Sequence, residues 1–109
     1  MAVSGKREEM LTGKQKRFLR ALGHGLKPVV TVGKGEISDA VCEETAAALE
    51  YHELVKVKLL ESCLTDRHEA AEILAEACSA EIAQILGRTI LLYKMNKEPK
   101  IELPKDGKK

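Results

Sequence analysis

The stretch that decides the fold is Val29-Val30-Thr31-Val32-Gly33-Lys34-Gly35-Glu36-Ile37-Ser38. Its β-branched run predicts a strand from Val29 to Val32, because β-branched side chains favour extended backbone. The glycines then turn the chain, and Ser38 can cap a helix that we expect to end near Tyr51. Backbone N–H groups at such a turn can face a phosphate, but many α/β proteins use glycine there only to reverse the chain. Both interpretations stay open on the spacing alone.

The residues before this stretch predict a first helix with one basic face. Thr12 and Gln15 have the spacing of a capping box, so the helix is expected from Gly13 to about Leu22. Its apolar stripe should pack against the sheet; it consists of Gln15, Phe18, Leu19 and Leu22. The opposite face carries Lys16, Arg17, Arg20 and His24. This face is either solvated or binds an anion.

The second half of the chain predicts a strand, a helix and a hairpin. Leu54 to Leu60 alternates apolar residues with lysines, which indicates a strand with one exposed face or a partly open edge. Its link to the first strand through a helix implies a parallel pair. The third helix should begin at Asp66 and end near Ser79, with Ala70, Ile73, Leu74 and Ala77 facing inward. Leu86-Gly87-Arg88-Thr89 predicts a two-residue hairpin turn between strands at 82–86 and 89–94.

Composition and charge exclude several functional classes. The 109 residues suit one domain, and the absence of a long apolar run or secretory signal predicts a cytoplasmic protein that does not contact membranes. The three cysteines lack paired spacing, so reduced thiols are expected. We find no motif for a catalytic group, a metal or a cofactor, and therefore expect a protein that is not an enzyme.

The net charge of +1 conceals a strong asymmetry. Residues 1–34 contain eight Lys or Arg and two Glu. Residues 35–88 contain four Lys or Arg and twelve Asp or Glu, and residues 89–109 contain six Lys or Arg and three Asp or Glu. Positive charge at the two ends indicates a polyanionic partner that faces one side of the molecule.

Five blocks of sequence, in order, resemble the YhbY/CRM family (chloroplast RNA splicing and ribosome maturation). They are Leu11-Thr12-Gly13-Lys14-Gln15-Lys16-Arg17, Leu26-Lys27-Pro28-Val29-Val30, Val32-Gly33-Lys34-Gly35, His52-Glu53-Leu54-Val55-Lys56-Val57-Lys58 and Gly87-Arg88-Thr89-Ile90-Leu91-Leu92-Tyr93-Lys94. The resemblance covers residues 10–103, which we expect to form one domain between a variable extension at 1–9 and a disordered basic tail at 104–109.

The resemblance implies an α/β (α+β) fold similar to the C-terminal domain of bacterial translation initiation factor three. In that fold a four-stranded mixed sheet carries its helices in two layers. The family implies RNA binding without catalysis. Its stand-alone bacterial members are associated with precursors of the large ribosomal subunit, so ribosomal RNA is the expected partner of a monomeric protein.

The family's Gly-x-x-Gly loop implies RNA contacts at Gly33, Lys34 and Gly35. Glu36 occupies the position of the last glycine, where its carboxylate would compete with phosphate. Neighbouring basic residues complete the predicted site: Lys14, Lys16, Arg17, Arg20 and Lys27. Two other hypotheses remain: a protein-interaction adaptor that uses the acidic surface between Glu36 and Glu81, and a small-molecule phosphate binder or enzyme built on the glycine turn.

Overall fold

The structure is a computed structural model of the chain and describes residues 11–104. The predicted extension at 1–9 lies outside the described residues, and so does the predicted tail at 104–109 except for Pro104, whose carbonyl accepts from Gln15 Nε2. The elements are α1 (Gly13–His24), β1 (Val30–Val32), α2 (Asp39–His52), β2 (Leu54–Leu59), α3 (Arg67–Cys78), β3 (Glu81–Leu86) and β4 (Thr89–Tyr93). The predicted order of helices and strands is confirmed. No helix among the described residues is long and apolar enough to cross a membrane.

Side-chain caps set the start of each helix, because the first backbone N–H groups of a helix have no partner within it. At α1 the Thr12 hydroxyl accepts from Gln15 N, and the Gln15 side chain accepts from Thr12 N, both at 3.1 Å. The Ser38 hydroxyl accepts from Val41 N at 3.2 Å, and an Asp66 carboxylate oxygen accepts from His68 N at 2.9 Å. The three caps predicted from the sequence are therefore confirmed.

The four strands form one mixed sheet in the order β1-β2-β4-β3. β1 and β2 are parallel, with Val30 opposite Val57, and β4 runs antiparallel to both β2 and β3. The parallel pair and the hairpin were both predicted. Since β2 lies between β1 and β4, the expectation of a partly open edge is wrong; the alternation of its lysines marks an exposed face instead.

The helices cover opposite faces of the sheet, which confirms the two layers. On one face, α2 and α3 pack over a core that includes Leu49, Val57, Leu74 and Ile90. On the other, Leu19 of α1 packs against a second cluster from β2, β3 and β4; its sheet residues are Leu54, Ala83, Leu91 and Tyr93.

The inward face of α3 differs from the prediction. Ile73 is 37% exposed and Ala77 is exposed, whereas Ala71, Ala75 and Cys78 are buried. α3 packs against α2 as well as the sheet, so its buried face is rotated toward the small residues that permit close approach to both. The expectation for Ile73 and Ala77 was therefore wrong.

The docking stripe of α1 is also shifted. Leu22 is 42% exposed, although it was expected to pack against the sheet. α1 instead contacts the sheet through Leu19 and Gly23, and a Cβ on Gly23 would come within 2.7 Å of Leu91 Cδ2. The close approach at Gly23 leaves Leu22 at the rim of the contact.

Candidate nucleic-acid interface

Residues 33–35, here called the glycine loop, begin the connection from β1 to α2. Gly35 has φ +89°, which side chains rarely permit, so the turn requires glycine at this position. Its N–H donates to Ser62 O at 3.2 Å, and its carbonyl accepts from Leu64 N at 2.7 Å. The Gly35 N–H is therefore already bonded to the chain that follows β2. Among the described residues, no hydrogen-bond partner meets the N–H groups of Lys34 or Glu36.

The glycine loop lies at the end of the sheet where β1 and β2 both terminate. The β3–β4 turn reaches the same end, because Leu59 N donates to Arg88 O at 2.7 Å. The N-terminus of α3 joins it through Arg67 Nη1, which donates to Gly87 O at 3.1 Å. Lys34, Arg67 and Arg88 are all exposed here. Sequence reasoning missed both arginines as site residues, since only the topology brings them to the same end of the sheet as the glycine loop.

α1 supplies most of the cations predicted from the sequence. Lys14 and Arg17 are exposed, and Lys16 and Arg20 are half-buried. These side chains lie on the flank and outer side of a helix whose inner side is occupied by Leu19 and Gly23. α1 thus places its positive charges away from the α2–α3 layer.

The connection from α1 to β1 brings further lysines to the same side. Lys56 Nζ donates to Leu26 O at 3.0 Å, so the connection crosses β2 next to the exposed Lys27. Lys56 and the exposed Lys58 share a sheet face with Leu54, because side chains alternate along a strand. We call this side of the sheet, with α1 and residues 25–29, the α1 side. The alternating pattern of β2 was the signal for Lys58, although sequence reasoning did not assign it to the site.

The two sides of the sheet carry opposite charge. Residues 11–35 include α1, the connection at 25–29 and the glycine loop, and they contain six Lys or Arg and no Asp or Glu. β3 adds one carboxylate to the α1 side, Glu81, which lies opposite Tyr93. The layer of α2 and α3 instead exposes seven carboxylates and one arginine, Arg67; the acidic residues are Asp39, Glu43, Glu44, Glu50, Glu69, Glu72 and Glu76. An approaching polyanion is therefore attracted to the α1 side and repelled from the other.

The structure brings only part of the predicted site together. Gly33, Lys34 and Gly35 lie at the end of the sheet, and Lys27 lies beside β2. Lys14 is in the first turn of α1, at the other end of a 12-residue helix that is about 18 Å long. That all eight predicted residues form one continuous RNA contact stays a prediction.

Glu53 is a buried carboxylate that the sequence did not reveal, and it binds a segment of the chain that packs against α1. Glu53 is fully buried and binds three backbone N–H groups of residues 94–104, here called the C-terminal segment. Its Oε1 accepts from Lys100 N at 2.9 Å and Ile101 N at 2.8 Å, and its Oε2 accepts from Asn96 N at 2.9 Å. Ile101 and Leu103 of this segment pack against the second apolar cluster, which surrounds Leu19 of α1. Gln15 Nε2 closes the arrangement by donating to Pro104 O at 3.1 Å.

The hydrogen bonds decide the ionisation of Glu53. Burial by itself would raise its pKa, but the N–H groups of Asn96, Ile101 and Lys100, with the Lys100 charge, outweigh burial. The pKa of this carboxyl therefore lies below its ordinary value. An ionised Glu53 holds the C-terminal segment in place at neutral pH.

Comparison with known proteins identifies the family. The CRS1/YhbY (CRM) domain model matches residues 11–94, which include all three helices and all four strands. The chain belongs to this family. Within residues 11–104, no cluster of three or more His, Cys, Asp or Glu side chains could hold a metal ion.

Relatives of this CRM-domain chain carry names that refer to RNA. It is 49% identical over 96 residues to "Probable RNA-binding protein YqeI" of Bacillus subtilis, an alignment that covers 87% of this chain and all of YqeI. It is 41% identical over 116 residues to "Probable RNA-binding protein MJ0652" of Methanocaldococcus jannaschii, covering 97% of this chain and 86% of that protein.

A solved structure shares the fold. The solution structure of the hypothetical protein SAV1595 from Staphylococcus aureus, described there as a candidate RNA-binding protein, superposes with a TM-score of 0.76. The two chains are 44% identical, and the match covers 87% of this chain and all of the other. The family, its relatives and this neighbour support an RNA-binding protein and give no indication of an enzyme.

Proposed function

We propose that this CRM-domain protein binds RNA through the α1 side of its sheet together with the glycine loop. The proposed contacts are Gly33, Lys34, Gly35, Lys14, Lys16, Arg17, Arg20 and Lys27, with Lys58 added from its position on β2. The observation that supports this most strongly is the opposite charge of the two sides of the sheet. RNA phosphates would be attracted to the side of the sheet that combines the basic helix α1 with the exposed Lys58 of β2.

The RNA we propose is ribosomal RNA in precursors of the large ribosomal subunit, whose assembly the protein would assist in the cytoplasm as a monomer without catalysis. A gradient of cell lysate tests this part of the proposal. The protein should sediment with particles that precede the mature large subunit. Recovery only in the fractions of free protein would contradict it.

Salt dependence tests the contact surface. If the protein neutralises about four to six phosphates of unpaired RNA, the logarithm of its affinity should fall against the logarithm of salt concentration with a slope of roughly −3 to −4. The double variant Arg17→Gln/Arg20→Gln should make this slope shallower by about 1.4, because each lost phosphate contact removes about 0.7.

A matched control removes the same charge elsewhere. Lys97 and Lys100 lie in the C-terminal segment near Glu50, at the end of α2, and Lys100 Nζ donates to Tyr51 O. The double variant Lys97→Gln/Lys100→Gln should leave the salt slope close to that of the unmodified protein. An equal loss in both double variants would contradict an interface on the α1 side.

The acidic layer favours a second candidate function, a protein-interaction adaptor. Its exposed carboxylates on α2 and α3 would meet a basic partner. In that case Glu43→Gln/Glu44→Gln should abolish capture of a protein partner, while RNA affinity should be weak and should not depend on Arg17 or Arg20.

A further inference from the structure

An open cleft of about 610 Å³ lies beside the glycine loop. Residues 63–68 form one wall, and the β3–β4 turn at Gly87 and Arg88 forms the other. The cleft lies at the end of the sheet opposite to the attachment of the C-terminal segment.

Hydrogen bonds hold the cleft against the glycine loop and the residues that follow it. Leu64 at its rim donates from its N–H to Gly35 O at 2.7 Å, and Ile37 N donates to Thr65 Oγ1 at 3.3 Å. The bond from Arg67 Nη1 to Gly87 O ties the two walls together. A ligand that contacts the glycine loop is therefore placed next to a preformed cavity.

The lining combines apolar and cationic groups. Leu59 is buried, while Leu64 is 76% exposed and presents its side chain to the surface. Arg67, His68 and Arg88 add flat, donor-rich groups, and the Asp66 carboxylate is engaged in capping α3. A phosphate group alone would make no favourable contact with the exposed Leu64 side chain. A nucleobase fits this set, because its face packs on apolar and guanidinium surfaces while its edges accept hydrogen bonds.

We propose that the cleft receives an unpaired nucleotide of the bound RNA. Its base would lie against Leu64 and the guanidinium of Arg88, and its phosphate would be directed toward Lys34. This inference rests on the RNA binding proposed above and adds a preference: RNA with an unpaired segment binds more tightly than a duplex, because paired bases cannot enter the cleft.

Two substitutions separate this site from general attraction to phosphate. Arg88→Lys keeps the charge but removes the planar guanidinium. Leu64→Ser removes the apolar surface and leaves every charge unchanged. Each variant should bind a single-stranded RNA of mixed sequence about five- to tenfold more weakly than the unmodified chain, while its affinity for a duplex of the same length is unchanged.

Met95→Ser is the matched control, since Met95 is 59% exposed and lies outside the cleft. It should leave both affinities as they are. A single-stranded RNA that contains 4-thiouridine should also crosslink to a peptide that includes residues 63–68 or 87–88.

The inference is overturned if Leu64→Ser and Arg88→Lys bind single-stranded RNA as tightly as the unmodified chain does. It is also overturned if they lose the same affinity for single-stranded RNA as for the duplex. In either case the salt dependence of the Arg17→Gln/Arg20→Gln variant still tests independently whether RNA binds on the α1 side. If the unmodified protein binds neither RNA, the proposed function fails and this inference fails with it. Equal melting temperatures of the variants would show that a loss of binding is not a loss of folding.

Discussion

Replacing Glu53 tests how the C-terminal segment is held against the domain. Its carboxylate is the acceptor for three backbone N–H groups that are up to 48 residues away in the chain. In Glu53→Ala these donors lose their acceptor, which is a fully buried carboxylate. Each hydrogen bond to a charged group contributes about 1.5–3 kcal/mol, so the loss would exceed about 4 kcal/mol if the segment stayed docked.

Release of the segment limits that cost. An undocked segment regains backbone entropy of about 1–2 kcal/mol per residue, although it gives up the packing of Ile101 and Leu103. We therefore expect Glu53→Ala to lower the free energy of unfolding by about 3 kcal/mol. Glu53→Gln should cost about half as much, because its oxygen can still accept from Lys100 and Ile101 while its NH₂ group faces Asn96 N–H.

Urea denaturation measures the free energy of unfolding, and amide hydrogen exchange locates the change. The amides of Asn96, Lys100 and Ile101 should exchange faster in both Glu53 variants. Glu44→Gln, an exposed position on the same helix, is the control and should stay within about 0.5 kcal/mol of the unmodified protein. The reasoning is refuted if Glu53→Ala also stays within this range, or if the three amides keep their protection.

The pH dependence of stability gives an independent measurement of the same group. The pKa of Glu53 in the folded protein lies below its ordinary value of 4.5. Its contribution is therefore complete above pH 4.5 and is lost as the pH falls through the lower folded-state pKa. The unmodified protein should lose stability more steeply than Glu53→Gln below about pH 4.5, whereas Glu44→Gln should follow the unmodified protein.

Other substitutions test the loop and the core. Glu36→Gly removes a carboxylate beside the glycine loop and should tighten RNA binding by about 1 kcal/mol, with a small loss of thermal stability. Lys34→Ala should weaken RNA binding. If Glu36→Gly binds RNA with unchanged or weaker affinity, the loop is a purely structural turn. Leu74→Ala opens a cavity in the α2–α3 core and should cost about 2–5 kcal/mol in urea denaturation. Reductant should not change the melting temperature, because Cys42, Cys63 and Cys78 are unpaired; a marked decrease would reveal a missed disulfide.

Elements of the fold could be predicted where their signals are local. The caps at Thr12, Ser38 and Asp66 use side chains within three residues of the N–H groups that they bind, so spacing alone reveals them. The same holds for the two-residue turn at Gly87 and Arg88. The buried faces of the helices were harder to predict from the sequence. The inward face of α3 depends on its packing against α2, and the spacing of residues within α3 carries no information about that contact.

Some residues of the candidate site could likewise be predicted from local sequence, and others could not. The lysines and arginines of α1 were visible as one face of a helix, and Lys34 was visible next to its glycines. Arg67 and Arg88 lie at the same end of the sheet as the glycine loop only because the parallel β1–β2 pair and the β3–β4 hairpin both bring the chain to that end. Glu53 gave no local signal at all, since its partners lie more than 40 residues further along the chain.

The structure also changes what the glycines of the loop are expected to do. A phosphate cradle would use their N–H groups, but the Gly35 N–H and carbonyl are already bonded to Ser62 and Leu64. Gly35 is needed for its positive φ and for attaching the loop to the wall of the neighbouring cleft. Phosphate attraction at the loop then depends on the Lys34 charge and on the N–H groups of Lys34 and Glu36, beside the Glu36 carboxylate that opposes it. Because this donor set is smaller than a full cradle, the proposed interface would draw most of its affinity for RNA from the α1 side, and the proposed role of the loop and cleft would be to discriminate unpaired from paired RNA.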